Sequence, residues 1–228
     1  MIILSKQIVF PPVNLAANDG LLAIGGDLSV ERLLLAYKSG IFPWYNEGEP
    51  IIWYSPNPRM VLFPNNLRVS KSMRQLIKKK KFQITFNKDF ESVISNCKTI
   101  DRKGEIGTWI TDEMKESYIK LHKKGVAKSV EVWQQSNSNQ YEKKLVGGLY
   151  GIDLGTVFCG ESMFSKVSNT SKLAFIYLTQ KLERENYDII DCQVYNSHLA
   201  SLGAKEISRD DFLSYLPKTL PLVNKNFN

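Results

Sequence analysis

Histidine and cysteine are scarce in this 228-residue chain: two histidines, His122 and His198, and three cysteines, Cys97, Cys159 and Cys192. The cysteines are odd in number and widely spaced, with no Cys-x-x-Cys pair, so the sequence offers no metal site and fits a reducing compartment. No apolar run approaches the ~20 residues that a membrane span needs. The start, Met1-Ile-Ile-Leu-Ser-Lys6, has a short apolar tip and then a lysine, the wrong order and length for a secretory signal. A soluble cytoplasmic protein is expected. There is no internal repeat.

What is present is ordinary and globular. Hydrophobic residues make up 43% and aromatics 11%, which argues against disorder and leaves rings for a core or a binding floor. The formal net charge of +7 favours a polyanionic partner, although surfaces built for solubility carry such a balance too. At this length the chain can hold one large or two small domains, each with a core.

Residues 10 to 27 carry Pro11-Pro12, Gly20 and Gly25-Gly26, which predicts an extended arm that turns before any helix. A first helix follows, capped by Ser29, with Val30, Leu33, Leu34 and Tyr37 at i, i+3, i+4 and i+7 and Gly40 as its stop. Residues 41–45 and 51–56, joined by a turn, read as an aromatic hairpin. Trp53 suits its packing, whereas Trp44, after a proline in the turn, suits stacking on a base or ribose.

Beyond residue 59 helices alternate with strands around one sheet, an α/β (α+β) pattern. The expected division is a small lobe over residues 1–60 and a main domain over 61–228. The helix starting at Ser70 runs into Lys78, Lys79, Lys80 and Lys81; four consecutive lysines need solvent or a polyanion. Thr111 caps a helix with Met114, Tyr118 and Leu121 at helical spacing, and Trp109 sits just before it, where a loop meets a rigid scaffold. Residues 134–144 form a polar tip of Gln, Ser, Asn and Lys.

The chain is organised around residues 145–203. Strands over 145–152 and 155–159, glycine-rich where side chains are expected, lead through a turn holding Glu161 to a helix over 171–185 capped from Ser168-Asn169-Thr170. The next strand, Ile189-Ile-Asp-Cys-Gln-Val194, alternates: Asp191 and Gln193 leave by one face, Ile190, Cys192 and Val194 by the other. An acid and an amide on a strand beside a glycine-flanked glutamate suit an acyl-transfer cleft, although by spacing alone such a pair is more often a solvated sheet face.

Six blocks stand in order along the chain: Gly20-Leu-Leu-Ala-Ile-Gly-Gly-Asp-Leu-Ser29, Gly40-Ile-Phe-Pro-Trp44, Trp53-Tyr-Ser-Pro56, Gly107-Thr-Trp-Ile-Thr111, Phe158-Cys-Gly-Glu-Ser-Met-Phe164, and Asp191-Cys-Gln193 with Ala200-Ser-Leu-Gly203. Together they resemble the leucyl/phenylalanyl-tRNA-protein transferases of bacteria over nearly the whole chain. The resemblance implies a GNAT-type N-acetyltransferase-like main domain with a small N-terminal lobe. It also implies transfer of Leu or Phe, less well Met, from aminoacyl-tRNA to proteins or peptides with N-terminal Arg or Lys, marking them for N-end rule degradation. No cofactor is expected: Lys166-Val-Ser-Asn-Thr-Ser171, at the place of the superfold's pyrophosphate loop, has no glycine.

The resemblance further implies Asp191 and Gln193 as the catalytic pair, with Glu161 on the same cleft drawing in the cationic acceptor. It implies Trp44 and Trp109 at the terminal adenosine and Lys78 to Lys81 at the tRNA backbone. Met163, Leu178 and Ile190 are the apolar candidates for a donor side-chain pocket, or else plain core. A related transferase to a cell-wall peptide and a non-catalytic tRNA-binding module are the alternatives.

Overall fold

The computed structural model describes residues 2–100, 110–135 and 143–217. A four-stranded sheet is built from β1 (Ile2–Leu4), β2 (Leu21–Gly25), β3 (Phe42–Pro43) and β4 (Ile52–Tyr54), in the order β1-β2-β4-β3. The helix α1 (Val30–Lys38) joins β2 to β3, with Ser29 accepting from the Arg32 backbone N–H as its N-cap. The predicted arm over residues 10–27 therefore gives way to a strand, β2. Five apolar and glycine residues between turns carry no period; antiparallel pairing with Ile52–Tyr54, distant in sequence, makes them a strand.

A seven-stranded sheet follows, from β5 (Arg59–Leu62), β6 (Phe82–Phe86), β7 (Ala127–Gln135), β8 (Lys143–Asp153), β9 (Val157–Ser165), β10 (Ile189–Gln193) and β11 (Lys205–Ile207). Its order is β11-β5-β10-β9-β8-β7-β6. Every neighbouring pair is antiparallel except β9 and β10, which the long helix α5 (Thr170–Arg184) connects. That exception follows from connectivity, because parallel strands need a crossover and a helix supplies it. The remaining helices are α2 (Lys71–Lys78), α3 (Phe90–Thr99), α4 (Asp112–Lys123), α6 (Ser197–Ser201) and α7 (Arg209–Tyr215). Among the described residues no helix is long and apolar enough to cross a membrane.

One core cluster joins both sheets, running from Leu22 and Trp53 through Tyr37 and Tyr118 to Tyr150, Ile152 and Phe212. A second lies under α5, where Leu173, Ile176 and Leu182 meet Val132, Leu149, Phe158 and Ile190. Trp53 is fully buried, as its packing role requires, and its Nε1 donates to the carbonyl of Gly25.

The segment expected to turn after Cys159 instead continues as strand to Ser165, because Gly147 to Tyr150 of β8 pair with Ser162 to Ser165. The cap of α5 also differs from expectation. Asn169 sits at φ 69° with no side-chain cap bond, and it is Ser165, at the end of β9, whose hydroxyl accepts the Ser171 N–H at 2.9 Å. Strand end and helix start are thus fixed to each other. Gly151 accounts for one glycine of β8: a Cβ there would stand 2.3 Å from the Cys159 carbonyl oxygen and 2.5 Å from the Phe158 ring. Gly151→Ala is expected to destabilise the protein by about 1–3 kcal/mol through this overpacking, read as a lowered denaturant midpoint with an unchanged slope.

Candidate active site

Two bulges place the polar groups of the central cavity. Pairing of β9 with β8 jumps from Tyr150–Ser162 to Gly151–Gly160, so Glu161 is the residue left over. Pairing of β10 with β5 jumps from Asp191–Val61 to Gln193–Met60, leaving over Cys192, and Gln193 adopts φ 65°. A bulge bends its strand and re-aims side chains. β9 and β10 pair only over Val157–Cys159 and Ile189–Asp191. Past that point a cavity of about 700 Å³ is lined by Gly160 to Met163 on one side and Asp191 to Val194 on the other.

The strict alternation read from the sequence fails here. Cys192 and Gln193, expected on opposite faces, both line the cavity, because the extra residue breaks the period of two. Ser171, Phe175 and Leu178 of α5, at i, i+4 and i+7, cover the cavity with one helix face. Leu149, Phe158, Ile190 and Met163 complete an apolar lining, and Phe42, Pro43 and Trp44 bring in the small sheet. Met163, Leu178 and Ile190 therefore do come together on one cavity.

Asp191 has no exposed surface. Its carboxylate oxygens accept from Arg59 Nε at 2.8 Å and Nη2 at 2.7 Å, a two-pronged ion pair, and Oδ1 also accepts the Gln193 backbone N–H at 2.9 Å. Arg59 is equally buried; its Nη1 donates to the Gly40 carbonyl, and its guanidinium lies over the rings of Phe42 and Phe212. Sequence reasoning missed Arg59. The available signal was an arginine opening an otherwise apolar strand, Met-Val-Leu, where only a paired charge can be accommodated.

Glu161 faces a different environment. Its Oε1 accepts from Gln193 Nε2 and its Oε2 from the Tyr118 hydroxyl, both at 3.0 Å, and the Tyr118 hydroxyl meets that of Tyr37. Its principal partners are neutral donors rather than a cation. Removal from water therefore dominates, and the carboxyl is pushed from 4.5 to about 7, with the Asp191 charge adding to the rise and the hydrogen bonds from Tyr37, Tyr118 and Gln193 opposing it. Burial likewise holds the Tyr37 and Tyr118 hydroxyls well above their usual range, and keeps the Cys192 thiol protonated. Tyr37 and Tyr118 are on the apolar stripes read from the sequence, but nothing in the spacing reveals that their hydroxyl ends converge on Glu161.

Trp44 lines the cavity, 46% exposed, tilted against Tyr54 at 5.7 Å. Trp109 lies outside the described residues, as does most of the polar tip, 136–142. Lys78 to Lys81 are exposed at the end of α2 and the start of β6, an edge strand three places from β9; none lines the cavity. Among the described residues there is no group of three or more His, Cys, Asp or Glu side chains able to hold a metal ion.

An apolar floor with a few convergent polar groups at one end is the make-up of a ligand-binding cleft rather than of plain core. Family comparison gives that cleft its class. Residues 61–217 match the model for leucyl/phenylalanyl-tRNA protein transferase, and residues 26–57 match that family's N-terminal domain. The chain is 63% identical over 216 residues to the leucyl/phenylalanyl-tRNA–protein transferase of Flavobacterium johnsoniae, covering 95% of this chain and 99% of the relative. It is 55% identical over 227 residues to that of Syntrophus aciditrophicus, covering 99% and 92%. Among solved structures, FemX aligns at a TM-score of 0.49 and 10% identity, over 78% of this chain and 66% of that one, a likeness too slight to bear on function. The chain belongs to the leucyl/phenylalanyl-tRNA protein transferase family.

Two outcomes follow from the site's electrostatics. Arg59→Met leaves the Asp191 charge buried and unpaired and is expected to cost about 3–5 kcal/mol of stability, most of it recovered in the Arg59→Met/Asp191→Leu double variant; chemical unfolding of the three proteins checks this. Because Glu161 binds its proton more tightly in the folded state, its contribution to stability is complete below pH ~4.5 and is lost as pH rises through about 7. The melting temperature of Glu161→Gln relative to the native chain should therefore climb across that window and level off above it.

Proposed function

We propose that this chain moves leucine or phenylalanine, and less well methionine, from aminoacyl-tRNA to the N-terminal Arg or Lys of an acceptor protein, forming a peptide bond and marking the product for N-end rule degradation. The observation that carries the reading is the cavity itself, an apolar lining closed at one end by a carboxylate and a carboxamide. Met163, Leu178 and Ile190 receive the donor side chain, Met163 adding the deformability that three different side chains require. Trp44, with Trp109, stacks on the terminal adenosine, and Lys78 to Lys81 take the tRNA backbone away from the chemistry, reading phosphate rather than sequence.

Within this reading the donor is an activated ester and the acceptor an α-amine of pKa ~7.7–8.0, so orientation supplies much of the rate. Gln193 positions the amine through its carboxamide, and Glu161 attracts the acceptor's positive charge. Asp191, buried against Arg59, acts by holding the Gln193 backbone. Residues 1–60 form the lobe that brings Trp44 to the rim of a GNAT-type domain over 61–228, and the reaction runs in the cytoplasm without a cofactor.

Labelled leucine supplied on charged tRNA, with peptides beginning in Lys, Arg or Ala and no added cofactor, tests the reaction. Incorporation on Lys and Arg but not on Ala is expected; incorporation on none of the three, with the tRNA still bound, would sink the assignment. Replacing Lys78 to Lys81 with alanine is expected to weaken binding of the charged tRNA. The slope of log affinity against log salt should become shallower by about 0.7–0.9 for every phosphate that the lysines had neutralised. An unchanged salt slope would remove the four lysines from the tRNA site.

A further inference from the structure

We propose that Glu161 takes the proton from the acceptor's α-ammonium, and that Tyr118 and Tyr37 are positioning residues which hold its carboxylate for that transfer. The proposal rests on the aminoacyl-transfer reading and assigns the proton acceptor that this reaction needs. Aminolysis starts from an ammonium, and only the free amine has the electron pair to attack the ester carbonyl.

The cavity wall contains few groups that could take the proton. Asp191 is fully buried and its two oxygens already accept from Arg59 and from the Gln193 backbone. Gln193 is a carboxamide, a very weak base, and its Nε2 is committed as donor to Glu161. The Cys192 thiol is held protonated by burial, and so cannot act as a thiolate base. His198, on α6, has a buried Nε2 with no hydrogen-bond partner among the described residues, and desolvation together with nearby Lys172 disfavours its protonation. Glu161, in contrast, is a carboxylate of the wall held by neutral donors, and its bulge makes it independent of the ladder.

The groups facing Glu161 come from four elements. Tyr37 arrives from α1, Tyr118 from α4 with its ring edge-on to Tyr150 of β8 at 5.5 Å, and Asp191 and Gln193 from β10; Cys159 is two residues back on its own strand. Arg59 acts on the other side of Asp191. Tyr118 donates to Oε2 and Gln193 to Oε1, so the carboxylate is gripped at both oxygens in one orientation. The tyrosine hydroxyls do not ionise near neutral pH; Tyr118 donates its one proton to Glu161 and accepts from Tyr37. With the carboxyl raised to about 7, it is ionised in a working fraction of the protein at neutral pH and close in proton affinity to the amine it serves.

The step balances without a co-reactant. Glu161 removes one proton from the ammonium; the amine's electron pair forms the C–N bond while the carbonyl π pair moves to oxygen. As the tetrahedral intermediate collapses, the ester C–O bond breaks, and the second amine proton passes to the 3′ oxygen of the tRNA. Glu161 then returns its proton to water.

The test is the pH–rate profile of single-turnover leucyl transfer to a Lys-initiated peptide for the native chain, Glu161→Gln, Tyr118→Phe and Tyr37→Phe, with charged-tRNA binding and melting temperature measured alongside. Glu161→Gln should lose about 100-fold or more in rate while still binding the tRNA. Tyr118→Phe removes a hydrogen bond that favours the ionised carboxylate, so its rising limb should move up by about one pH unit, a tenfold deficit near pH 6 that closes by about pH 9. Tyr37→Phe should move it the same way, and serves in its place if Tyr118→Phe does not fold. A Tyr118→Phe deficit that is equal at every pH, or a Glu161→Gln protein that transfers at the native rate, overturns the proposal and leaves the transferase reading standing. Absence of transfer by the native chain overturns both.

Discussion

The buried pair of Arg59 and Asp191 is the interaction on which the rest of the site depends. It ties β5 to β10 through two hydrogen bonds, reaches the small sheet through the Gly40 carbonyl and the Phe42 ring, and reaches α7 through Phe212. Such a pair adds little net stability, since taking both charges out of water nearly cancels their attraction, but removing one partner is costly. What it contributes is position. The Asp191 carboxylate holds the Gln193 N–H, the bulge at Cys192 follows, and the Gln193 side chain is delivered to Glu161.

The two carboxylates of the site are set apart by the company they keep. Asp191 has a guanidinium against both oxygens; Glu161, one strand over, is held by neutral donors, and the loss of water raises its proton affinity. Environments that differ this much set two neighbouring carboxylates apart, a contrast that acid–base sites commonly use. The parallel pairing of β9 with β10 makes it possible, because the strands part after three residue pairs and leave room between them.

Much of the fold was legible because it rests on local rules. Ser29 and Thr111 cap α1 and α4 where their hydroxyls precede an apolar period, and Gly40 adopts the positive φ that ends α1. The polar pair at the end of β10 and the glutamate of β9 stand out by their residue types and by a family resemblance. Spacing alone misplaces them. A period of two assumes an unbroken ladder, and both strands carry an extra residue just where the site lies.

By itself the sequence determined the family, most of the helix boundaries and the apolar make-up of the cavity, since motifs, caps and periodicity are written within a few residues of one another. Tertiary structure alone decided which carboxylate meets a guanidinium and which meets neutral donors. Arg59 lies 132 residues from Asp191, Tyr118 lies 43 from Glu161, and Tyr37 lies 81 from Tyr118. No local pattern encodes such meetings; they exist only once two sheets share a core.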